Sequence, residues 1–495
     1  MTELFLSMHN ISKRFAGVQA LNAVDFELRR GEIHCLAGEN GSGKSTLVKI
    51  ISGVLKPDAG SRIEVDGVPV HHASSIAAIH QGIAVIYQDP SLFPTLSVAE
   101  NIAFHAIVAE GRHLVSPKKI RKSAEDAIAR IGVDLPLDAR AGELSMADQQ
   151  LVAICRALTG DVRLLIMDEP TTALTRKEVD SLFSVVKDLE SKGIGTLFIS
   201  HKLDEVFEIA ERVTVLRDGT RIGTYSSGEL DETKLSYLMT GQTLEFPEVQ
   251  VVPESAPVLL DVQNLSKHEN YRDISLTLRA GEIIGLTGLL GSGRTEFALS
   301  LFGLNKPDAG HIRVEGKEVH IRSVRDALKL GIAYVPENRL TQGLVMGQSV
   351  GKNIVITIVR RMLTALGFIN GSTYQDAMQR WVADLSIKVP TPDALVETLS
   401  GGNQQRVVLA KWMATDPKIL ILDGPTVGID VAAKSGMHTL IRALANRGVG
   451  IIIISDEVSE VYHNSNRVLV MKKGRLIGEF NAAAHSPRDI ATALS

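Results

Sequence analysis

The sequence predicts two α/β domains in tandem, each with a largely parallel sheet, helices on both faces and a separate helical insertion. Two observations predict this. Landmarks recur in one order about 250 residues apart, and each half alternates strand-length apolar runs with helical patterns. Arg30-Gly31-Glu32-Ile33 returns as Ala280-Gly281-Glu282-Ile283, and Lys56-Pro57-Asp58-Ala59-Gly60 returns unchanged as Lys306-Pro307-Asp308-Ala309-Gly310. Gly82-Ile83-Ala84 recurs as Gly331-Ile332-Ala333, and Leu144-Ser145 as Leu399-Ser400. A period of this size is that of a whole domain. The expected division is a first domain over 1–244, a proline-bearing linker over 245–257 and a second domain over 258–495.

In the first half, Phe15 stands 23 residues before Gly38, where it can stack on a planar base or pack in the core. The apolar run Ile33–Ala37 reads as a central strand. It leads into Gly38-Glu39-Asn40-Gly41-Ser42-Gly43-Lys44-Ser45-Thr46, a complete P-loop in its strand–loop–helix setting. Gly38, Gly41 and Gly43 let the backbone curl so that successive N–H groups face phosphate oxygens, and the helix beginning near Lys44 adds its dipole. Lys44 is expected to reach the β- and γ-phosphates of ATP, and Ser45 to ligate Mg²⁺.

The next apolar run, Ile83–Tyr87, ends at Gln88, placed to touch both metal and attacking water where the helical insertion opens. Between Asp89 and Thr159 the pattern is mostly helical and polar. Leu164–Met167 then ends in Asp168-Glu169. Asp168 is expected to hold Mg²⁺, through water, and Glu169 to take a proton from the attacking water. Thr196–Ile199 leads to His201, placed to sense the γ-phosphate, and Val213–Leu216 is a further central strand.

Bulk composition is that of an ordinary globular protein of 495 residues, 44% apolar and 22% charged. The net charge of −4 gives no reason to expect nucleic acid as a partner. The basic cluster Lys118-Lys119 with Arg121-Lys122 reads as a solvated helix face. Cys35 and Cys155 are too few for a disulfide framework and read as buried, inert thiols. Met1–Asn10 lacks the basic-then-apolar pattern of a signal peptide, and the longest apolar runs are strand-length. The expected location is therefore cytoplasmic, with any membrane contact made through a partner.

The P-loop, Gln88, "LSMADQQ", "LLIMDEPTTAL" and "ISHKLDE", in this order, resemble the ATP-binding cassette proteins over nearly the whole chain. The second-half segment "LSGGNQQRVVLAKWMATDPKILILD", Leu399 to Asp423, is similar to that of the double-cassette ATPases of bacterial carbohydrate importers. The resemblance implies two ABC-type P-loop NTPase domains, each with a small antiparallel β region beside the parallel core and helical insertion. It implies head-to-tail pairing, with each ATP between one P-loop and the other cassette's signature loop. It further implies two copies of an integral-membrane permease subunit, an extracytoplasmic sugar-binding protein, and a place on the cytoplasmic face of the inner membrane. The helical insertions, with Asp89-Pro90-Ser91-Leu92-Phe93-Pro94, would then transmit motion to the permease.

Under that pairing, Lys44, Gln88, Asp168, Glu169 and His201 face the signature Ser400-Gly401-Gly402-Asn403, which can address a γ-phosphate at a helix N-terminus. The other site joins Gly288, Gly291, Gly293, Arg294, Thr295 and Asp423 to the poorer signature Ser145-Met146-Ala147-Asp148. There Glu337 stands for Gln88, Gly424 for Glu169 and Asp456 for His201, while no aromatic aligns with Phe15. Arginine is no equivalent of lysine, glycine offers no base, and Asp148 repels phosphate. The defects gather on one composite site, which predicts one hydrolytic and one degenerate nucleotide site. The importers that this chain resembles generally keep a glutamate where Gly424 stands and an arginine where Val427 stands, so both positions depart from the pattern. The alternative class is a soluble double-cassette ATPase acting on ribosomes or nucleic acid, which resembles this chain in its ATP motifs but carries a long charged linker. A regulator without turnover conflicts with Lys44, Glu169 and His201.

Overall fold

The computed structural model of the chain describes residues 3–15, 17–70, 74–87, 91–109, 116–171, 174, 176–200, 202–241, 251–289, 291–481 and 484–494. It divides into two compact units, Met1–Leu244 and Glu245–Ser495. At the end of the stretch expected as linker, the backbone oxygens of Ala256 and Pro257 accept hydrogen bonds from Arg279 and Ala280 of the second unit.

The first unit contains strands β1 (Leu4–Phe15), β2 (Val18–Arg29), β3 (Ile33–Ala37), β4 (Arg62–Val65), β5 (Val68–Pro69), β6 (Ile83–Ile86), β7 (Leu164–Asp168), β8 (Gly195–Ile199), β9 (Arg212–Arg217) and β10 (Thr220–Ser226). Four of them form an antiparallel sheet in the order β2-β1-β4-β5. The other six are ordered β10-β9-β3-β8-β7-β6, parallel except where β10 returns beside β9. The four expected central strands are present with ends shifted by no more than a residue, and the strand expected over Ile83–Tyr87 stops at Ile86.

Alternation along the strands divides the core in two. Leu165, Met167 and Phe198 pack toward the helices of the insertion, whereas Leu164, Ile166, Leu197 and Ile199 pack with the antiparallel sheet and the helix Lys44–Ile51. The insertion supplies helices Val98–Ala109, Pro117–Ile131 and Met146–Ala157, the last buried through Val152, Ile154 and Cys155. The cluster Lys118-Lys119 is exposed on Pro117–Ile131, and Arg121 pairs with Glu125 and Asp138. Cys35 and Cys155 are both buried, and burial pushes each thiol up to about 12.

The second unit repeats the plan with β11 (Val258–Lys267), β12 (Tyr271–Arg279), β13 (Ile283–Gly288), β14 (Ala309–Val314), β15 (Lys317–Val319), β16 (Ile332–Val335), β17 (Ile419–Asp423), β18 (Gly450–Ile454), β19 (Arg467–Lys472) and β20 (Arg475–Asn481). Its sheets are β12-β11-β14-β15 and β16-β17-β18-β13-β19-β20. Each P-loop strand, β3 or β13, lies between two parallel neighbours, so its carboxyl end opens at a crevice in the middle of the sheet. Among the described residues no helix is long and apolar enough to cross a membrane.

One buried ion pair is also duplicated. Glu32 Oε2 meets Arg212 Nη1 at 3.0 Å, and Glu282 Oε1 meets Arg467 Nε at 2.7 Å. Each glutamate also accepts the backbone N–H of the residue ending the preceding strand, Arg29 or Arg279. The carboxylate therefore fastens the hairpin entering the P-loop strand to the strand beside it. Breaking a buried pair leaves an uncompensated charge. Glu282→Ala is expected to cost about 3 kcal/mol and to lower hydrogen-exchange protection across β13 and β19.

Candidate nucleotide sites

Both glycine loops bend under the carbonyl of the penultimate residue of a neighbouring strand, β9 or β19. A Cβ on Gly38 would sit 2.4 Å from Leu216 O, and one on Gly288 would sit 2.4 Å from Met471 O. At the helix N-caps, Gly43 and Gly293 take φ of 103° and 95°, in the left-handed region, where a Cβ would strike Ala20 O or Asn270 O. Within each loop the serine N–H turns back on the chain, Ser42 N to Glu39 O at 3.1 Å and Ser292 N to Leu289 O at 3.0 Å. Ser42 Oγ and Ser292 Oγ are buried without a hydrogen-bond partner among the described residues. Orphaned donors in a glycine cradle fit the phosphates of a nucleotide. Asn40, Gly41 and Ser45 are exposed at the first loop, and Thr46 is half-buried.

In the first unit Lys44 is buried, and its Nζ donates to Gly38 O at 2.7 Å and Glu39 O at 2.9 Å. Burial lowers its pKa, opposed by the nearby Glu169 and Asp168 carboxylates. Asp168 ends β7, and burial followed by the charge of Glu169 raises its pKa. Glu169 lies at φ 48°, held by a 2.9 Å hydrogen bond from its N–H to Ile199 O. A side chain in the left-handed region costs about 1 kcal/mol, so the carboxylate is held at the strand end against a local preference. Phe15 is 43% exposed at the end of β1, with Lys13 Nζ 5.7 Å from its ring centroid, rather than packed in the core. Gln88, His201, Asp89 and Pro90 lie outside the described residues. From the expected transmission segment, Ser91 O accepts from Arg156 of the helix Met146–Ala157 at 2.9 Å.

The second unit has a cleft lined by Arg294, Thr295, Glu296, Glu337, Asp423 and Asp456, together with its glycine loop and Gly424. Burial lowers the pKa of Arg294, while Asp456, Asp423, Glu337 and Glu296 oppose that shift. Its Nη1 is buried with no hydrogen-bond partner among the described residues. Tyr334, in β16, donates its hydroxyl to Asp423 Oδ2 at 2.9 Å, and Thr295 also hydrogen-bonds that carboxylate. Burial raises the pKa of Asp423, as it does that of Glu337. Gly424 has φ 55° and the same backbone bond as Glu169, its N–H to Ile454 O at 2.9 Å.

The two signature loops differ in what their serines are doing. Ser145 Oγ accepts from Asp148 N at 3.1 Å and donates to Asp148 Oδ2 at 2.9 Å, a closed local cap. Ser400 makes no such cap; its Oγ accepts from Asn403 Nδ2 at 3.0 Å, and Asn403 Oδ1 accepts from Lys388 N. A Cβ on Gly402 would lie 2.6 Å from the Cβ of Ala433, so the alanine found at 147 could not stand there without displacement.

Sequence reasoning missed Arg339. Its guanidinium donates to Val427 O at 2.8 Å and Gly428 O at 3.1 Å, and a Cβ on Gly401 would meet it at 2.9 Å. It joins the loop after Glu337 to the rim of the second cleft and to the start of the signature helix. Tyr334 was also missed, although a tyrosine in a fully buried strand signals a polar partner.

The family model described as ABC transporter matches residues 21–172 and again 271–427. The chain is similar to the ribose import ATP-binding protein RbsA 2 of Streptomyces avermitilis, 44% identical over 98% of this chain and 95% of the relative. It is 43% identical to a putative ribose/galactose/methyl galactoside import ATP-binding protein of Burkholderia cenocepacia, over 97% of this chain and 94% of that one. Among solved structures, an archaeal ribosome recycling factor in complex with a ribosomal stalk protein superposes with a TM-score of 0.63, covering 98% of this chain and 92% of that one. At 19% identity this is a likeness of fold alone.

A Cβ at Gly424 would approach Val427 Cγ2 to 2.9 Å and Glu337 Cγ to 3.0 Å. Restoring a carboxylate there as Gly424→Glu is expected to destabilise the chain by about 1–2 kcal/mol, read by chemical denaturation, with Gly424→Ala moving the same way.

Proposed function

The chain belongs to the ABC transporter family, and from that premise we propose that it is the ATP-hydrolysing, energy-coupling subunit of a carbohydrate importer with one hydrolytic and one degenerate nucleotide site. Two permease subunits and an extracytoplasmic sugar-binding protein would complete the importer, with this chain peripheral on the cytoplasmic face of the inner membrane. The full-length likeness to sugar import ATP-binding proteins supports this role over the ribosome-associated class, to which the likeness is one of fold.

The observation that carries the site assignment is the contrast at equivalent strand ends. Lys44, Asp168 and Glu169 converge in the first unit, whereas the second cleft gathers Arg294, Asp423 and Gly424. In the proposed working site, the loop N–H groups and Lys44 bind the β- and γ-phosphates, and Phe15 stacks on adenine. Glu169 accepts a proton from the attacking water, which Gln88 and His201 help to orient. Ser45, Gln88 and, through water, Asp168 would hold Mg²⁺, which neutralises charge on the phosphate oxygens.

Ser400, Gly401, Gly402 and Asn403 supply the signature for that site. Support comes from the open Ser400 helix start, set against a Ser145 already tied to Asp148. ATP-driven closure and reopening of the cassettes would then move the permease between access states.

Glu169→Gln is expected to abolish ATPase activity of the assembled importer while ATP binding persists. Substantial turnover in that variant would overturn the assignment of the working site. Arg294→Ala is expected to spare most hydrolysis, and an equally complete loss would show that both sites must act.

A further inference from the structure

The second cleft keeps what a diphosphate needs and changes what a third phosphoryl group would meet. Its loop has the same glycine cradle as the first, with the same buried, unbonded serine hydroxyl at Ser292. Arg294 lines the cleft with one guanidinium nitrogen, Nη1, left without a hydrogen bond among the described residues. A forked guanidinium can bind two phosphate oxygens at once.

Beyond the cradle the chemistry reverses. At the positions equivalent to Gln88 and His201, neither of which is acidic, the second half places Glu337 and Asp456. Glu296 replaces the neutral Thr46 in the first helical turn. Four carboxylates therefore share the cleft with one arginine: Glu296, Glu337, Asp423 and Asp456. Asp423 is held by Tyr334 and Thr295. Asp456, then Asp423, Glu337 and Glu296, attract Arg294 and offset part of its positive charge. By the sequence equivalence with Gln88 and His201, a γ-phosphoryl group would bring negative charge to Glu337 and Asp456, in a partly desolvated cleft where like charges repel strongly.

We propose that the second P-loop is a nucleoside diphosphate site, in which the loop N–H groups and Arg294 hold the α- and β-phosphates while Glu337 and Asp456 exclude the third phosphoryl group. This rests on the reading that the second loop takes nucleotide at all.

The test is equilibrium titration of the full chain carrying Lys44→Ala with Mg·ADP and Mg·ATP, using a Lys44→Ala/Arg294→Ala chain to subtract binding left at the first loop. ADP is expected to bind at least about tenfold more tightly than ATP. Adding Glu337→Gln and Asp456→Asn is expected to strengthen ATP binding until the preference disappears, with ADP affinity little changed. Should that chain fail to fold, Asp456→Asn alone is expected to reduce the preference. Equal affinities, or tighter ATP binding, in the Lys44→Ala chain would overturn the diphosphate assignment and leave a nucleotide site standing. Retention of the preference after both carboxylates are neutralised would overturn their role. No Arg294-dependent binding of either nucleotide would overturn the reading of the second loop as a nucleotide site.

Discussion

The structure depends on one close approach, that of the P-loop glycine to a carbonyl near the end of the neighbouring strand. Gly38 under Leu216 O and Gly288 under Met471 O share the same 2.4 Å limit on any added Cβ. That contact sets where the loop leaves the sheet and where the following helix begins. Asp168 and Asp423 stand at the ends of β7 and β17, each separated from its P-loop strand by one intervening strand. The two halves have kept the glycine contact while exchanging lysine for arginine and glutamate for glycine. Packing against a strand end is thus a requirement of the fold, independent of turnover. An intact glycine frame by itself says that a phosphate cradle can form, and the side chains around it say what the cradle does.

Hydrogen bonding inside a helix cap competes with ligand binding at the same helix. Ser145 closes its hydroxyl onto Asp148, satisfying one N-terminal N–H and burdening the helix start with a carboxylate. Ser400 reaches instead to Asn403, an uncharged side chain that is itself anchored on Lys388. The better local cap is the poorer anion site. Arg339 adds a second layer in the second unit, because the same guanidinium touches the cleft rim and the signature start. A shift of Val427 and Gly428 would be felt at Gly401 through a single side chain.

Much of this was legible in the sequence where the signal is local. The short apolar runs gave central strands because strands buried on both faces need no alternation, and Leu164 to Met167 shows this directly. Each P-loop declared its own strand–loop–helix setting. The long strands β1 and β2 were not read, since register shifts between Met8, Ile11, Lys13 and Arg14 break the period-two pattern. In the candidate sites, residue types singled out Lys44, Asp168 and Glu169. Tyr334 on Asp423 and Arg339 on Val427 join residues 88 to 89 positions apart, a relation that only the folded sheet creates. The left-handed backbone of Glu169 was equally invisible, because nothing in its neighbours' types demands it.

That backbone conformation gives the loss of the second carboxylate a direction. At 169 a glutamate occupies a φ that glycine would adopt without strain, and at 424 glycine does occupy it. A glutamate at such a position is held against a local backbone preference. A glycine there relaxes the backbone, and at 424 an added Cβ would meet Val427 Cγ2 at 2.9 Å and Glu337 Cγ at 3.0 Å. Placing a side chain at 424 requires an uphill step in stability. The asymmetry between the two halves therefore behaves as a ratchet: local backbone energetics make decay at this position easy and repair difficult.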